Sequence, residues 1–335
     1  MNIKKAIEKI FLKENLTSNE MSDVINEIMS GKATSAQKAG FLVALKSKGE
    51  TSEELVGAIK ALKKYTLKIN IKDRKHLIDT CGTGGDGGKT FNISTAVAIV
   101  AASGGAKVAK HGNRAISSKS GSLDVLNELG IKTNYSKEES EKFINEKGLS
   151  FLLATTYNSG MKNVGQERIE LGIRTIFNML GPLLNPADIT GQLMGVYDVS
   201  LMKTIGNALL ELGLDRAMIV YGNDGLDEIT NTTTTDVCEI KDGKLNRYVL
   251  DPLKYGFSKA NIKDIQGGTP KENAEIILKI LNGEKGYRRD IVVLNSGAAL
   301  YVAKIVDSLD EGINMAKDLI DSGKAYKKYK ELQEL

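Results

Sequence analysis

Gly82-Thr83-Gly84-Gly85-Asp86-Gly87-Gly88-Lys89-Thr90 joins a short apolar run, His76–Asp79, to a helix that the spacing predicts over Asn92–Ala102. Five glycines within seven residues let the backbone turn sharply and present its N–H groups. The following helix start adds positive partial charge, so strand, loop and helix together predict an anion site. Gly82-x-Gly84-x-x-Gly87 matches the dinucleotide fingerprint, but the next strand, Ala106-Lys107-Val108-Ala109-Lys110, ends in bases where that fingerprint needs an acid. Gly88-Lys89-Thr90 ends as a P-loop does, yet the first required glycine is Thr83.

Outward from this loop, short apolar runs alternate with helices. The strands expected are His76–Asp79, Ala106–Ala109, Ser150–Leu153, Gly191–Val196, Arg216–Tyr221 and Ile291–Leu294. Helices fall between them at Asn92–Ala102, Leu123–Leu129, Leu201–Leu212 and Glu272–Asn282. Thr269-Pro270-Lys271-Glu272 is a capped helix start with Pro at the first helical position. The alternation predicts βαβ units and a largely parallel sheet. Residues 1–66 read as helices only. Thr17-Ser18-Asn19-Glu20, Thr34-Ser35-Ala36-Gln37 and Thr51-Ser52-Glu53-Glu54 are capping boxes followed by apolar residues at helical spacing. Such short helices must pack on one another or on a partner chain. Residues 161–180 read as one long helix interrupting the α/β series, with Ile169, Ile173, Ile176 and Leu180 as a core stripe. Thr232–Thr235 reads as an exposed turn.

The chain has 335 residues, enough for two domains. No stretch approaches the roughly 20 apolar residues of a membrane helix. Charges throughout the N-terminus leave no apolar centre for a signal peptide, and a cytoplasmic protein is expected. Two cysteines, Cys81 and Cys238, without a C-x-x-C, speak against a disulfide framework. With only His76 and His111, the metal expected is a hard ion on carboxylates and substrate oxygens. A net charge of +4 suits a small polyanion and does not demand nucleic acid.

Past the loop come Asn92-x-Ser94-Thr95, then Lys107, Lys110, His111, Asn113, Arg114 and Lys119. Hydroxyls and amides at a helix start can hold a second phosphate or its metal, and the bases can neutralise the rest. These segments resemble the signature of the anthranilate phosphoribosyltransferase family. The resemblance continues through Gly121-Ser122-x-Asp124-Val125-Leu126, the run from Glu170 to Asn178, and Gly181-Pro182-Leu183-Leu184-Asn185-Pro186. It extends to Asp224-Gly225-Leu226-Asp227-Glu228 and Asn295-x-x-Ala298-Ala299-Leu300, in order over nearly the whole chain.

The resemblance implies the fold class shared with pyrimidine nucleoside phosphorylases. That class has a small all-helical domain, a larger α/β domain with a mostly parallel central sheet, and a cleft between them. The boundaries expected are 1–70 and about 161–190 for the helical domain, and 71–160 and 191–335 for the α/β domain. It implies a homodimer through the helical domain. It also implies magnesium-dependent transfer of phosphoribosyl from phosphoribosyl pyrophosphate to anthranilate, in tryptophan biosynthesis. By resemblance, Gly82, Thr83, Gly84, Gly85, Asp86, Thr90, Asn92, Ser94, Thr95, Lys110 and Ser122 hold the donor. Gly82, Asn113 and Arg168 meet anthranilate, and Ser94, Asp227 and Glu228 hold Mg2+.

Some of these assignments have a physical basis of their own. Asp227 and Glu228 lie in a Gly-rich loop after Arg216–Tyr221, where adjacent carboxylates can face one cation; on residues alone, an exposed acidic turn is an equal reading. Gly165, Arg168 and Gly172 fall on one helical stripe, leaving room beside the guanidinium for a carboxylate; the rival is close helix packing with Arg168 paired to an acid. His111 reads equally as structural or as a residue that positions substrate or takes a proton. The family's His-Pro-Ala-Met is replaced by Asn158-Ser159-Gly160-Met161, and Asn163–Glu167 is also atypical. These changes border the acceptor side. Three rival readings stand: a related transferase with another aromatic acceptor, a pyrimidine nucleoside phosphorylase, and a non-enzymatic nucleic-acid-binding relative.

Overall fold

A computed structural model describes residues 1–85, 90–112 and 120–334. The chain divides into two compact units: one of residues 1–68, 154–186 and 203–213, the other of 69–153, 187–202 and 214–335.

The first unit opens with four helices, Ile3–Phe11, Ser18–Met29, Ser35–Lys48 and Ser52–Leu62. The last three start at the expected capping boxes; Thr17, Thr34 and Thr51 each accept from the backbone N–H three residues on, and the residue there returns the bond. Glu54 extends its box into a tertiary tie. Its buried carboxylate accepts from Thr51 N at 2.8 Å and Leu16 N at 2.9 Å, and pairs with Lys48 at 3.0 Å. A buried acid held this way has its charge and its lone pairs satisfied.

The interrupting segment differs from the long helix expected over 161–180. It enters the first unit at Ala154 and runs as a short helix Ala154–Tyr157, a 3-10 stretch Ser159–Val164, and helices Gly165–Leu171 and Ile176–Leu183. Gly172, at φ 60°, caps the third piece in the left-handed region and so stands outside the helical stripe. Asn178 Oδ1 accepts from Thr175 N and restarts the helix. The break splits the expected core stripe: Ile176 and Leu180 are buried, whereas Ile169 and Ile173 are 76% and 47% exposed. Residues 203–213 also belong to this unit rather than to the α/β one.

The second unit is built on a seven-stranded sheet. Its strands are β1 (Leu77–Asp79), β2 (Lys107–Gly112), β3 (Leu149–Leu153), β4 (Gly191–Gly195), β5 (Arg216–Gly222), β6 (Thr235–Lys241) and β7 (Lys244–Leu250), in the order β3-β2-β1-β4-β5-β6-β7. The pairs from β3 to β5 are parallel, and β6 and β7 are antiparallel. Strand order therefore reverses between β1 and β4, where an open α/β sheet leaves a crevice beyond its carboxyl ends.

Two elements differ from expectation. Ile291–Leu294 is no strand but the middle of the helix Tyr287–Val302, buried from Ile291 onward. A short, fully apolar run carries no periodicity to separate buried helix from buried strand. The β6–β7 hairpin has no counterpart among the expected strands. Its turn, Asp242-Gly243, has φ of 50° and 69°, the two-residue geometry that Asp-Gly favours. The Thr232–Thr235 run leads into it and is not an exposed turn: Thr235 is buried and Thr232 to Thr234 are half-buried.

Candidate active site

The donor-side residues expected from sequence gather at the carboxyl ends of the parallel strands, as the switch point requires. The glycine loop leaves β1 through Cys81 and Gly82. Thr83 pins it to the end of β4: its N donates to Gly195 O at 2.9 Å, and its Oγ1 accepts from Tyr197 N at 3.1 Å. Gly84 and Gly85 follow with φ of 66° and 105°, both exposed. Asp86 lies outside the described residues, as does Asn113.

Thr90 resumes the chain as a bridge partner of Gln266, and the helix Ile93–Ser103 begins directly after Asn92. Lys110, on β2, is buried; its ammonium donates to Ser94 Oγ at 3.1 Å and Thr80 O at 3.4 Å. Thr95 Oγ1 is buried without a hydrogen-bond partner among the described residues. Ser122 opens the helix Ser122–Glu128, and its Oγ lies 3.0 Å from where a Gly112 side chain would begin, so it stands over the end of β2. His111 is also in β2 and buried, with its N–H donating to Asp79 Oδ1 at 3.2 Å.

Asp227 and Glu228 follow β5, both half-buried. Their loop presses on the end of β4 so closely that a Cβ on Gly195 would overlap Asp227 O, which no side chain permits. Asp227 Oδ2 lies 3.1 Å from where a Gly82 side chain would begin, so the carboxylate faces the root of the glycine loop. Asp224 shapes the same turn, accepting from Leu226 N at 3.1 Å, from Thr230 Oγ1 at 2.6 Å and from the Thr232 hydroxyl. Burial pushes the Cys81 thiol up to about 12, with Asp79 and then Asp227 and Glu228 adding to the effect against Lys110. The thiol is therefore protonated at neutral pH and is no nucleophile. Sequence reasoning missed the parts played by Gly195 and Asp224. A glycine ending a strand was the available signal for the first.

The fit to a hard cation is good. Two carboxylates stand beside a phosphate-type loop, and Mg2+ commonly takes one or two carboxylates and fills its shell with phosphate oxygens and water. Ser94 Oγ, expected as a metal ligand, already accepts a charge-assisted bond from Lys110.

Arg168 belongs to the first unit, in the helix Gly165–Leu171. It is half-buried, and burial lowers its pKa from the usual guanidinium value. Among the described residues no acid pairs with it; its neighbour Glu167 is taken by Lys38 at 2.7 Å. The atypical loop is firmly built. Asn158 is buried, accepts from Thr66 Oγ1 at 2.7 Å and donates to Leu184 O at 3.1 Å. Asn158→Ala removes both bonds and is expected to cost about 2 kcal/mol, read as a fall of several degrees in melting temperature; an unchanged melt would refute the bridging role.

A mostly parallel sheet with a glycine loop at its switch point and the Asp227 carboxylate facing that loop define an α/β protein suited to an anionic ligand. Family models agree with that class. The α/β domain of a glycosyl transferase family matches residues 74–326, and its helical bundle domain matches residues 4–66. The chain belongs to this family, and within it to the branch of the anthranilate phosphoribosyltransferases. The anthranilate phosphoribosyltransferase of Clostridium beijerinckii is 65% identical over 335 residues, covering 100% of this chain and 99% of the relative. That of Clostridium kluyveri is 54% identical over 330 residues, 98% of each. Among solved structures, the anthranilate phosphoribosyltransferase of Thermus thermophilus superposes with a TM-score of 0.93 at 37% identity, covering 98% of both chains. The Saccharomyces cerevisiae enzyme in complex with PRPP and Mg gives 0.90 at 27% identity, covering 99% of this chain and 97% of that one.

Proposed function

We propose that the protein transfers phosphoribosyl from phosphoribosyl pyrophosphate to the amine of anthranilate, giving N-(5-phosphoribosyl)anthranilate and pyrophosphate in tryptophan biosynthesis. The observation that carries this reading is the apposition of Asp227 to Gly82, which brings a carboxylate to the root of the glycine loop, with Glu228 next to it in the chain. The names of the full-length relatives supply the acceptor. The loop Gly82–Gly85 cradles the pyrophosphate, Asp86 and Thr90 belong to the same donor set, and Ser94, Thr95 and Ser122 add hydroxyls. The orphaned Thr95 hydroxyl and the buried Lys110 ammonium are groups that an anion satisfies. Asp227 and Glu228 would hold Mg2+, which supplies positive charge to the pyrophosphate oxygens. Ser94 stays with Lys110 on the phosphate side. Arg168 takes the anthranilate carboxylate as a bidentate pair, and Asn113 borders the same acceptor.

An aromatic amine is neutral at pH 7 and attacks C1 without prior removal of a proton, while the C1–O bond to pyrophosphate breaks with inversion; the proton then released from the new C1–N ammonium passes to the departing pyrophosphate or to water. The chain's work is to align the two reactants and to stabilise charge on the leaving oxygens. No base is assigned to His111, which the sheet encloses. The test is loss of anthranilate fluorescence with phosphoribosyl pyrophosphate, with and without magnesium. Turnover only with the metal supports the reading; phosphorolysis of thymidine or uridine without metal would replace it with a nucleoside phosphorylase.

A homodimer through the helical unit is part of the proposal. Phe11 and Leu12, at the end of the first helix, are 72% and 73% exposed, an apolar pair that a partner surface would cover. Phe11→Lys with Leu12→Lys is expected to halve the mass seen by light scattering; an unchanged mass would refute this interface. Among the described residues no helix is long and apolar enough to cross a membrane, and we place the enzyme in the cytoplasm.

A further inference from the structure

The capped start at Thr269-Pro270-Lys271-Glu272 has no part in the chemistry above, yet the residue after it reaches the donor site. Thr269 N donates to Glu272 Oε2 at 2.7 Å, and Pro270 fixes the first helical position, so the helix Pro270–Leu281 has a set origin. The backbone before it is held against the start of the donor helix. Gln266 bridges Thr90, and a Cβ on Gly267 would fall 2.6 Å from both Phe91 N and Thr90 O. Asn273, in the first turn, is 1% exposed. Its Oδ1 accepts from Gly268 N at 2.7 Å, and its Nδ2 donates to Asn92 Oδ1 at 3.0 Å. Ser120 Oγ donates to the same Asn92 oxygen at 3.2 Å, and Asn92 Nδ2 reaches Ser120 O at 3.4 Å.

We infer that Asn273 is a positioning residue for phosphoribosyl pyrophosphate, fixing which edge of the Asn92 amide meets the donor. An asparagine side chain is nearly symmetric in shape, and only its partners decide which end is oxygen. Two donors converge on Asn92 Oδ1, so the oxygen is turned toward Asn273 and Ser120. The amide nitrogen has two protons, and Ser120 O engages one. Among the described residues the other has no partner, which leaves it for an anionic or hydroxyl oxygen of the donor. Asn273 is locked in its own orientation by Gly268 N, and the lock passes from a loop to a buried amide to a ligand-facing amide. The inference rests on the reading of Asn92 as a donor-binding residue.

Asn273→Asp tests it. The substitution keeps the size and the acceptor for Gly268 N, but sets a carboxylate oxygen against Asn92 Oδ1. The Asn92 amide must then turn over or withdraw. The Michaelis constant for phosphoribosyl pyrophosphate is expected to rise about tenfold, with that for anthranilate unchanged. Asn92→Ala should raise the same constant, and adding Asn273→Asp to it should raise it no further. A merely structural role would lower the melting temperature without this selective rise and would act equally in both backgrounds. If Asn92→Ala raises the constant and Asn273→Asp does not, the positioning role is refuted while the donor site stands. If Asn92→Ala leaves it unchanged, the donor-site reading of Asn92 fails and the inference falls with it. Should Asn273→Asp give no folded protein by circular dichroism, Asn273→Ser takes its place: a selective rise supports the positioning role and an unmoved constant refutes it.

Discussion

Replacing Asp227 by Asn and Glu228 by Gln together is expected to lower turnover by about a thousandfold and to flatten its dependence on magnesium. The substitutions keep shape and hydrogen-bonding capacity and remove only negative charge. The loop should hold its place. The contact between Gly195 and Asp227 uses the Asp227 backbone carbonyl, and the turn itself is tied by Asp224 to Leu226 N and Thr230. What is lost is the pair of hard oxygens that would hold the cation beside Gly82. Leaving-group charge then falls to the loop amides and Lys110 alone. The check is initial rate against magnesium concentration at saturating anthranilate, with far-ultraviolet circular dichroism to confirm the fold. A double variant within threefold of the parent, with the same magnesium curve, would remove these carboxylates from the site.

Arg168→Ala is expected to raise the Michaelis constant for anthranilate by about a hundredfold while leaving that for phosphoribosyl pyrophosphate and the turnover number nearly unchanged. A bidentate guanidinium–carboxylate pair contributes about 3 kcal/mol when both bonds are charge-assisted. The loss should appear as uniform binding because the carboxylate does not take part in bond making. Arg168→Lys should recover little, since a single ammonium cannot match the planar fork. The structure adds a second expectation. No acid among the described residues pairs with Arg168, so its removal orphans no charge among them. Burial already disfavours its charged form, and the melting temperature of Arg168→Ala should hold or rise. A strong loss of stability, with the anthranilate constant unmoved, would return Arg168 to a packing role.

The glycine loop and the strands around it were more legible in the sequence than the segment Ala154–Leu183, for physical reasons. Glycines, capping boxes and apolar runs act locally, so the loop at Gly82–Gly85, the helix after Asn92 and five strands near their expected limits could be read directly. Elements defined by distant partners were harder. Ile291–Leu294 is apolar on every side because a helix there is buried all round. Conversely β7 is exposed along most of its length, so its Tyr248 and Val249 mark no buried face, and it is held by its ladder to β6. The segment Ala154–Leu183 broke into pieces because Gly172 turns left-handed and Thr175 restarts the helix, and a continuous apolar period hid both events. Asn273 carried no signal in isolation. An amide four residues after a helix cap gains meaning only from what lies across from it.

The contact at Gly195 has a consequence for how this scaffold can change. A single missing side chain lets three stretches far apart in the chain, near residues 82, 195 and 227, mesh like gears on one axle. None of the three can be retuned separately, since any added atom at the hub would displace the Asp227 loop and the glycine loop at once. Innovation in what the enzyme accepts must then come from parts that share no tooth with that hub. Residues 154–186 belong to the other compact unit and carry the Asn158-Ser159-Gly160-Met161 stretch, which makes them the natural place to begin.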